Sequence, residues 1–159
     1  MKPDRVILRT AGLEDAFMLY EWECSCEARD VTLSEQELTL DFVCSHVLSS
    51  QNLVRDLQQR WVVEDSDHSP IGTLDMYDYD PSRAVARVGI YIVSEARGSG
   101  YATEALRMGI EKARGYGVRR LLAEVHAENV ASLSLFGRVG FETLESNGSQ
   151  SIVRMSLEL

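Results

Sequence analysis

Apolar positions along this chain switch between a period of two and a period near 3.6, and the switches outline its elements. Val6-Ile7-Leu8-Arg9 reads as a short strand, and behind Gly12 the positions Leu13, Phe17, Leu19, Tyr20 and Trp22 give a wide helical apolar face. Residues 33–57 keep a helical character through Leu38, Phe42, Val43 and Val47, and the polar run Ser49-Ser50-Gln51-Asn52 divides them into two helices. Strand character begins at Trp61-Val62-Val63-Glu64, stops at a polar turn over 65–70 and resumes at Ile71-Gly72-Thr73-Leu74, a hairpin pattern. A second turn over 78–83 contains Pro81. Residues 86–93 alternate, with Ala86, Val88, Ile90 and Ile92 on one face and Arg87, Gly89 and Tyr91 on the other. Ala102, Ala105, Leu106, Ile110 and Ala113 predict an amphipathic helix over 101–114, ended by Gly115 and Gly117. Leu121-Leu122-Ala123-Glu124-Val125 is a strand, and a short helix over 130–139 follows, capped by Glu128 or Asn129. Strands over 141–144 and 152–157 complete the pattern. Without repeats or a linker, residues 1–159 read as one domain of the α+β (mixed α/β) class.

A chain of 159 residues that is 45% hydrophobic is long enough to bury a core. Its formal net charge of -9 argues against a nucleic-acid partner, which needs a basic face. The same charge would concentrate cationic ligands, although solubility alone accounts for it equally. Cys24, Cys26 and Cys44 give no disulfide framework. The Cys24-Ser25-Cys26 spacing is wrong for a zinc knuckle, and His46, His68 and His126 do not cluster with it, so no metal is expected. Residues 1–9 lack the apolar core of a signal peptide and no apolar run approaches the ~18 residues of a membrane span. The expectation is a reduced, cytoplasmic location with no membrane partner.

The chemistry concentrates in Arg97-Gly98-Ser99-Gly100-Tyr101-Ala102, between a strong strand and a strong helix. Such a turn presents unpaired amides in one direction at the positive end of a helix dipole, which suits a phosphate. Gly98 and Gly100 allow unusual backbone angles and close approach of a ligand. A P-loop would need a lysine that is absent. A dinucleotide fingerprint would need a small residue where Thr103 stands, and a nucleophile elbow would need glycine where Arg97 stands. A turn that only reverses the chain is the simpler alternative, though it rarely needs two glycines beside an arginine at a helix start.

Arg97-x-x-Gly100-x-Ala102 resembles the Gln/Arg-x-x-Gly-x-Gly/Ala pyrophosphate loop of the GNAT superfamily of N-acetyltransferases. Asn129, Ser132, Leu135-Phe136 and Gly140-Phe141 resemble that family's second signature, at the family's spacing from the first. The resemblance extends more weakly from Arg9-Thr10-Ala11 to Met155-x-Leu157. It implies a twisted mixed sheet of about seven strands with helices on both faces, in which strands 86–93 and 121–125 run parallel and splay to admit acetyl-CoA. Ile90, Tyr91 and Ile92 would pair with the pantetheine arm. The amides of Arg97, Gly98, Ser99, Gly100, Tyr101, Ala102 and Thr103 would hold the pyrophosphate. Asn129, with Ser132 and Phe136 on the helix behind it, would flank the sulfur; Asn129 reads equally as a plain helix cap. Members of the family often form dimers, so a homodimer or larger homo-oligomer is the implied assembly.

The implied reaction is attack of a neutral amine on a thioester. Aliphatic amines titrate near ~10, so a proton must leave, while the thiolate leaving group has a pKa of roughly 8.5 and needs less help. An amide near Ile92 is placed to stabilise the oxyanion. The family's usual acid is a tyrosine where this chain has Phe136, and its frequent central-strand glutamate is replaced by Arg87. The sequence therefore names no catalytic residue; water, Asp75, Tyr77 and Tyr91 stay as open candidates. The run from Ile71 to Asp80 resembles that of bacterial spermidine and diamine acetyltransferases, and Trp22-Glu23 and Asn147-Gly148 resemble that branch and its ribosomal-protein-alanine relatives. Asp75, Tyr77 and Asp78 are thus the acceptor-binding candidates, with Glu35 or Glu37 assisting, for a small cationic amine such as spermidine. Asp78 and Asp80 read equally as turn residues before Pro81. A protein N-terminal acetyltransferase and a non-catalytic acyl-CoA-binding module remain the alternatives.

Overall fold

The structure, a computed structural model, describes residues 5–25, 38–144 and 151–159. Cys26, Glu35, Glu37 and the turn Asn147-Gly148 lie outside the described residues. In chain order the elements are β1 (Val6–Thr10), α1 (Ala16–Cys24), α2 (Leu40–Leu48), β2 (Gln51–Asn52), α3 (Leu53–Asp56), β3 (Gln58–Asp65) and β4 (Pro70–Asp80). They continue as β5 (Val85–Ile92), α4 (Tyr101–Gly115), β6 (Arg120–His126), α5 (Val130–Arg138), β7 (Glu142–Thr143) and β8 (Ile152–Glu158). The strands form one mixed eight-stranded sheet in the order β1-β3-β4-β5-β6-β8-β7, with β2 also paired to β3.

The strand beyond the expected seven is β2, inside the polar run that reads as a helix break. Gln51 and Asn52 pair with Gln59 and Gln58, and the Asn52 side chain then accepts from the amides of Val54 and Arg55 to cap α3. The larger departure is β4, which runs on to Asp80 where the sequence pattern stops at Leu74. β3 pairs with β4 as far as Met76 and β5 pairs with it as far as Asp80, so ladder bonds hold polar residues that show no strand pattern of their own. The register shifts between Tyr77 and Asp80, and Asp78 takes a left-handed φ of 50° at this bulge.

Helices cover both faces. Leu74, Met76, Ala86 and Val88 pack in one core with Ala105, Leu106, Ile110 and Ala113 of α4. The approach is close, since a Cβ at Gly109 would come within 2.3 Å of Leu74 Cδ2. On the opposite face Val62 packs with Leu19 of α1 and with Val43 and Val47 of α2.

A buried ion cluster joins β1, β3 and the start of α1. Arg9 donates to both carboxylate oxygens of Asp15, at 2.7 and 2.8 Å, and to Glu64 at 2.5 Å. The Arg9 contact, opposed by burial and helped by the Gly12 amide, holds Asp15 below the ordinary carboxylate range. With the folded value depressed, this stabilisation is fully present above the unfolded value near ~4 and is lost as pH falls from there through the lower folded value. Asp15→Asn should therefore cost about 2 kcal/mol at pH 7, the worth of a charged hydrogen bond. Urea unfolding should show that difference shrinking as pH falls below ~4.

Candidate functional site

The parallel contact between β5 and β6 covers only Val85 to Arg87 against Arg120 to Leu122. Past that point β5 stays on β4 as far as Ile92, and β6 stays on β8 as far as His126. The two strands therefore part, and the far edge of β5 opens onto a groove of about 1310 Å³. Ile90, Tyr91 and Ile92 line this edge.

After a 3-10 turn at Ser94–Ala96, Gly98 and Gly100 adopt φ of 81° and 83°, and Gly100 caps α4. Among the described residues, no backbone carbonyl accepts from the amides of residues 98–103, whereas the Glu104 amide already bonds the Gly100 carbonyl. A Cβ at Gly98 would meet nothing, so the space beside the loop is open. Arg5 fixes the loop from outside: its guanidinium donates to the Ser99 carbonyl at 2.8 Å and its amide to Glu104 at 2.7 Å. Arg97 donates to the Ile92 carbonyl at 2.8 Å and lies 5.8 Å from the Tyr91 ring centre.

Across the groove, Asn129 caps α5 by accepting from the Ser132 amide at 3.1 Å, which bears out the cap reading beside its place on the groove wall. Of the sequence's cofactor-binding candidates, all line the groove except Ser99 and Phe136. Phe136 is 4% exposed and packs edge-on against Phe141 with centroids 5.0 Å apart, so its ring belongs to the core. The sequence reading missed Arg138, which reaches Thr103 at 3.3 Å, and His126 at the end of β6. The helical stripe Ala131, Leu135, Arg138 carried a signal for the first.

A second cavity of about 410 Å³ lies on the α1 and α2 side and shares Ile90 and Tyr91 with the groove. Its floor is the outward row of β4 and β5, where Asp75 faces Gly89 and Tyr77 faces Arg87. Gly89 leaves open space above the strand. Asp75 and Tyr77 line the cavity as expected, and Asp78 does not: the bulge leaves its carboxylate 70% exposed and 3.4 Å from Arg87. Asp80 ends β4, paired with Val85, and its side chain holds the turn that follows by accepting from the amides of Ser82 and Arg83.

Non-local charges complete this cavity. Arg60 of β3 donates to both oxygens of Asp75, at 2.6 and 3.2 Å, and to Glu23 of α1 at 2.9 Å. Burial works against the Arg60 charge, but Asp75 and then Glu23 outweigh it and raise the guanidinium further. Arg87 is bonded to Glu124 of β6, which lies just past the last β5–β6 pair. Burial pushes the Tyr77 phenol above its ordinary value. Among the described residues no cluster of His, Cys, Asp and Glu is arranged to hold a metal, and no helix is long and apolar enough to cross a membrane.

A family model describing an acetyltransferase (GNAT) domain matches residues 5–142. Curated relatives include the uncharacterized N-acetyltransferase YobR of Bacillus subtilis, 30% identical over 82 residues that make up 45% of this chain and 33% of that protein. Another is an L-methionine sulfoximine/L-methionine sulfone acetyltransferase of Pseudomonas aeruginosa, 31% identical over 68 residues, 43% of this chain and 40% of that one. The matched stretches thus span well under half the length of these relatives. Among solved structures, the spermidine N-acetyltransferase of Vibrio cholerae in complex with CoA and spermine superposes with a TM-score of 0.83 at 20% identity, over 97% of this chain and 95% of that one. A ribosomal L7/L12 alpha-N-protein acetyltransferase in complex with coenzyme A gives 0.81 at 18% identity, over 98% and 94%. At such identities the likeness is one of fold, and it extends over nearly the whole chain. The family match over the splayed strands and their glycine loop shows that this chain belongs to the GNAT acetyltransferase family.

Proposed function

We propose that this protein is a cytoplasmic N-acetyltransferase that moves an acetyl group from acetyl-CoA to a primary amine of a small, cationic molecule such as a polyamine. The groove fits the donor: unpaired amides at residues 98–103 suit its diphosphate, and the free edge of β5 suits an amide-bearing arm. Bound there, acetyl-CoA supplies an activated acyl carbon with a good leaving group.

The observation that carries the acceptor class is the charge balance of the second cavity. Among the described residues Glu23, Asp75 and Glu124 line it against Arg60 and Arg87, one negative charge in excess. Both guanidiniums are already held by carboxylates of this chain, Arg60 by Asp75 and Glu23 and Arg87 by Glu124. Among the described residues no cation lining the cavity is left for an acceptor carboxylate, which favours an amine over an amino acid. A volume of about 410 Å³ suits a small molecule.

The test is thiol release from acetyl-CoA with spermine, spermidine, putrescine, L-methionine sulfoximine and a short peptide with a free amino terminus. Activity confined to the di- and polyamines is expected; preference for the amino acid or the peptide would overturn the acceptor assignment. Gly89→Leu should raise KM for the amine at least tenfold, because its side chain would enter the open space above β5, and should leave KM for acetyl-CoA unchanged.

A further inference from the structure

We propose that His46, on α2, is the group that takes the proton from the acceptor amine. The inference rests on the acetyltransferase reading and fills the gap left by Phe136 and Arg87. His46 lines the acceptor cavity together with Tyr91, which also lines the donor groove, so the cavity connects the imidazole to the place where the two substrates meet. The other basic groups in the cavity are engaged. Asp75 and Glu23 accept from Arg60, and Glu124 accepts from Arg87. Tyr77 stays protonated and can only donate.

Among the described residues no group bonds either ring nitrogen of His46. Its ring stacks on Phe42 one turn earlier, at 6.3 Å and 15°, which limits the orientations it can take. The charged groups facing it are Arg60 from β3, Asp75 from β4 and Glu23 from α1. Burial first, and then the Arg60 guanidinium, hold the imidazole below its ordinary value against the opposing pull of the two carboxylates. His46 is therefore neutral at pH 7 with a lone pair available.

The step balances without another reactant. The amine nitrogen bonds to the acetyl carbon, the carbon–sulfur bond breaks, the thiolate leaves with the electron pair, and the amine proton passes to His46 directly or through cavity water. Lowering the pH below the ordinary imidazole range protonates His46 and should give kcat/KM for the amine an acid limb in addition to the amine's own titration.

The experiment compares wild type, His46→Gln and, as control, His68→Gln, whose side chain is 74% exposed on another turn. Expected for His46→Gln is a fall of about 100-fold in kcat/KM for spermidine at pH 7, loss of the extra acid limb, partial rescue by added imidazole and unchanged affinity for CoA. The control should match wild type. A His46→Gln enzyme that keeps wild-type kcat/KM and pH profile would overturn the proposal, as would an NMR titration in which the wild-type His46 imidazole does not titrate with the acid limb of kcat/KM. The NMR arm decides even where the variant does not fold. Wild type that binds CoA but acetylates no amine would instead remove the acetyltransferase reading, and this inference with it.

Discussion

Gly100→Val is expected to weaken binding of coenzyme A by at least 100-fold, measured by calorimetry, while the variant keeps its folded circular-dichroism spectrum. Two costs combine at this position. Gly100 has a φ of 83°, a region that a β-branched residue occupies only under strain of about 1–3 kcal/mol. Relaxing that strain turns the cap of α4 and re-aims the amides of residues 98–103. Each charged hydrogen bond lost to a diphosphate is worth about 1.5–3 kcal/mol, so losing one or two accounts for the 100-fold change. Arg5 adds to the effect, because its guanidinium would lie 3.3 Å from the new Cβ while still held to the Ser99 carbonyl. Gly100→Ala, with the same φ penalty but less bulk, should fall between the two. Wild-type affinity in the valine variant would mean that the loop amides do not hold the diphosphate.

The donor half of the site was legible in the sequence because its signals are local. Two glycines, the start of a helix and a period-two strand lie within one continuous stretch, and the structure puts Ile90, Tyr91, Ile92, Arg97 and Gly98 on one groove. Phe136 failed for a reason of helical phase: it falls on the flank of the groove-facing stripe and turns toward Phe141. The second cavity, the proposed acceptor site, was poorly legible because its residues come together only through packing. Asp75 looks in the sequence like a lone acid, yet its partner Arg60 sits on the next strand and Glu23 comes from α1. Arg87 reads as a substituted glutamate, whereas the structure pairs it with a glutamate on β6. β4 shows the same limit at the level of the fold, since residues 75–80 become strand through two neighbours that no local pattern announces.

Arg60→Met should destabilise the protein by about 3–5 kcal/mol at pH 7, the largest stability loss expected from one substitution at this site. Methionine keeps the volume of the side chain, so the loss reports charge and not a cavity. Arg60 is 12% exposed and joins Asp75 of β4 to Glu23 in the last turn of α1. A carboxylate at that end of a helix opposes the dipole, and Arg60 offsets the repulsion. Without the guanidinium, two partly buried carboxylates face each other beside the packing of Val62, Leu19 and Val47. The double variant Arg60→Met/Asp75→Asn removes one of the two stranded charges and should recover part of the loss, and with the Asp75→Asn single variant it closes the cycle that gives the coupling energy. A loss below about 1 kcal/mol, with no recovery in the double variant, would mean that water already screens this triad. The excess negative charge of the cavity would then count for little in choosing an amine. Stability and the proposed acceptor choice would thus be linked through one residue: the guanidinium that holds α1 against β3 and β4 also leaves the described residues of the cavity a single negative charge in excess.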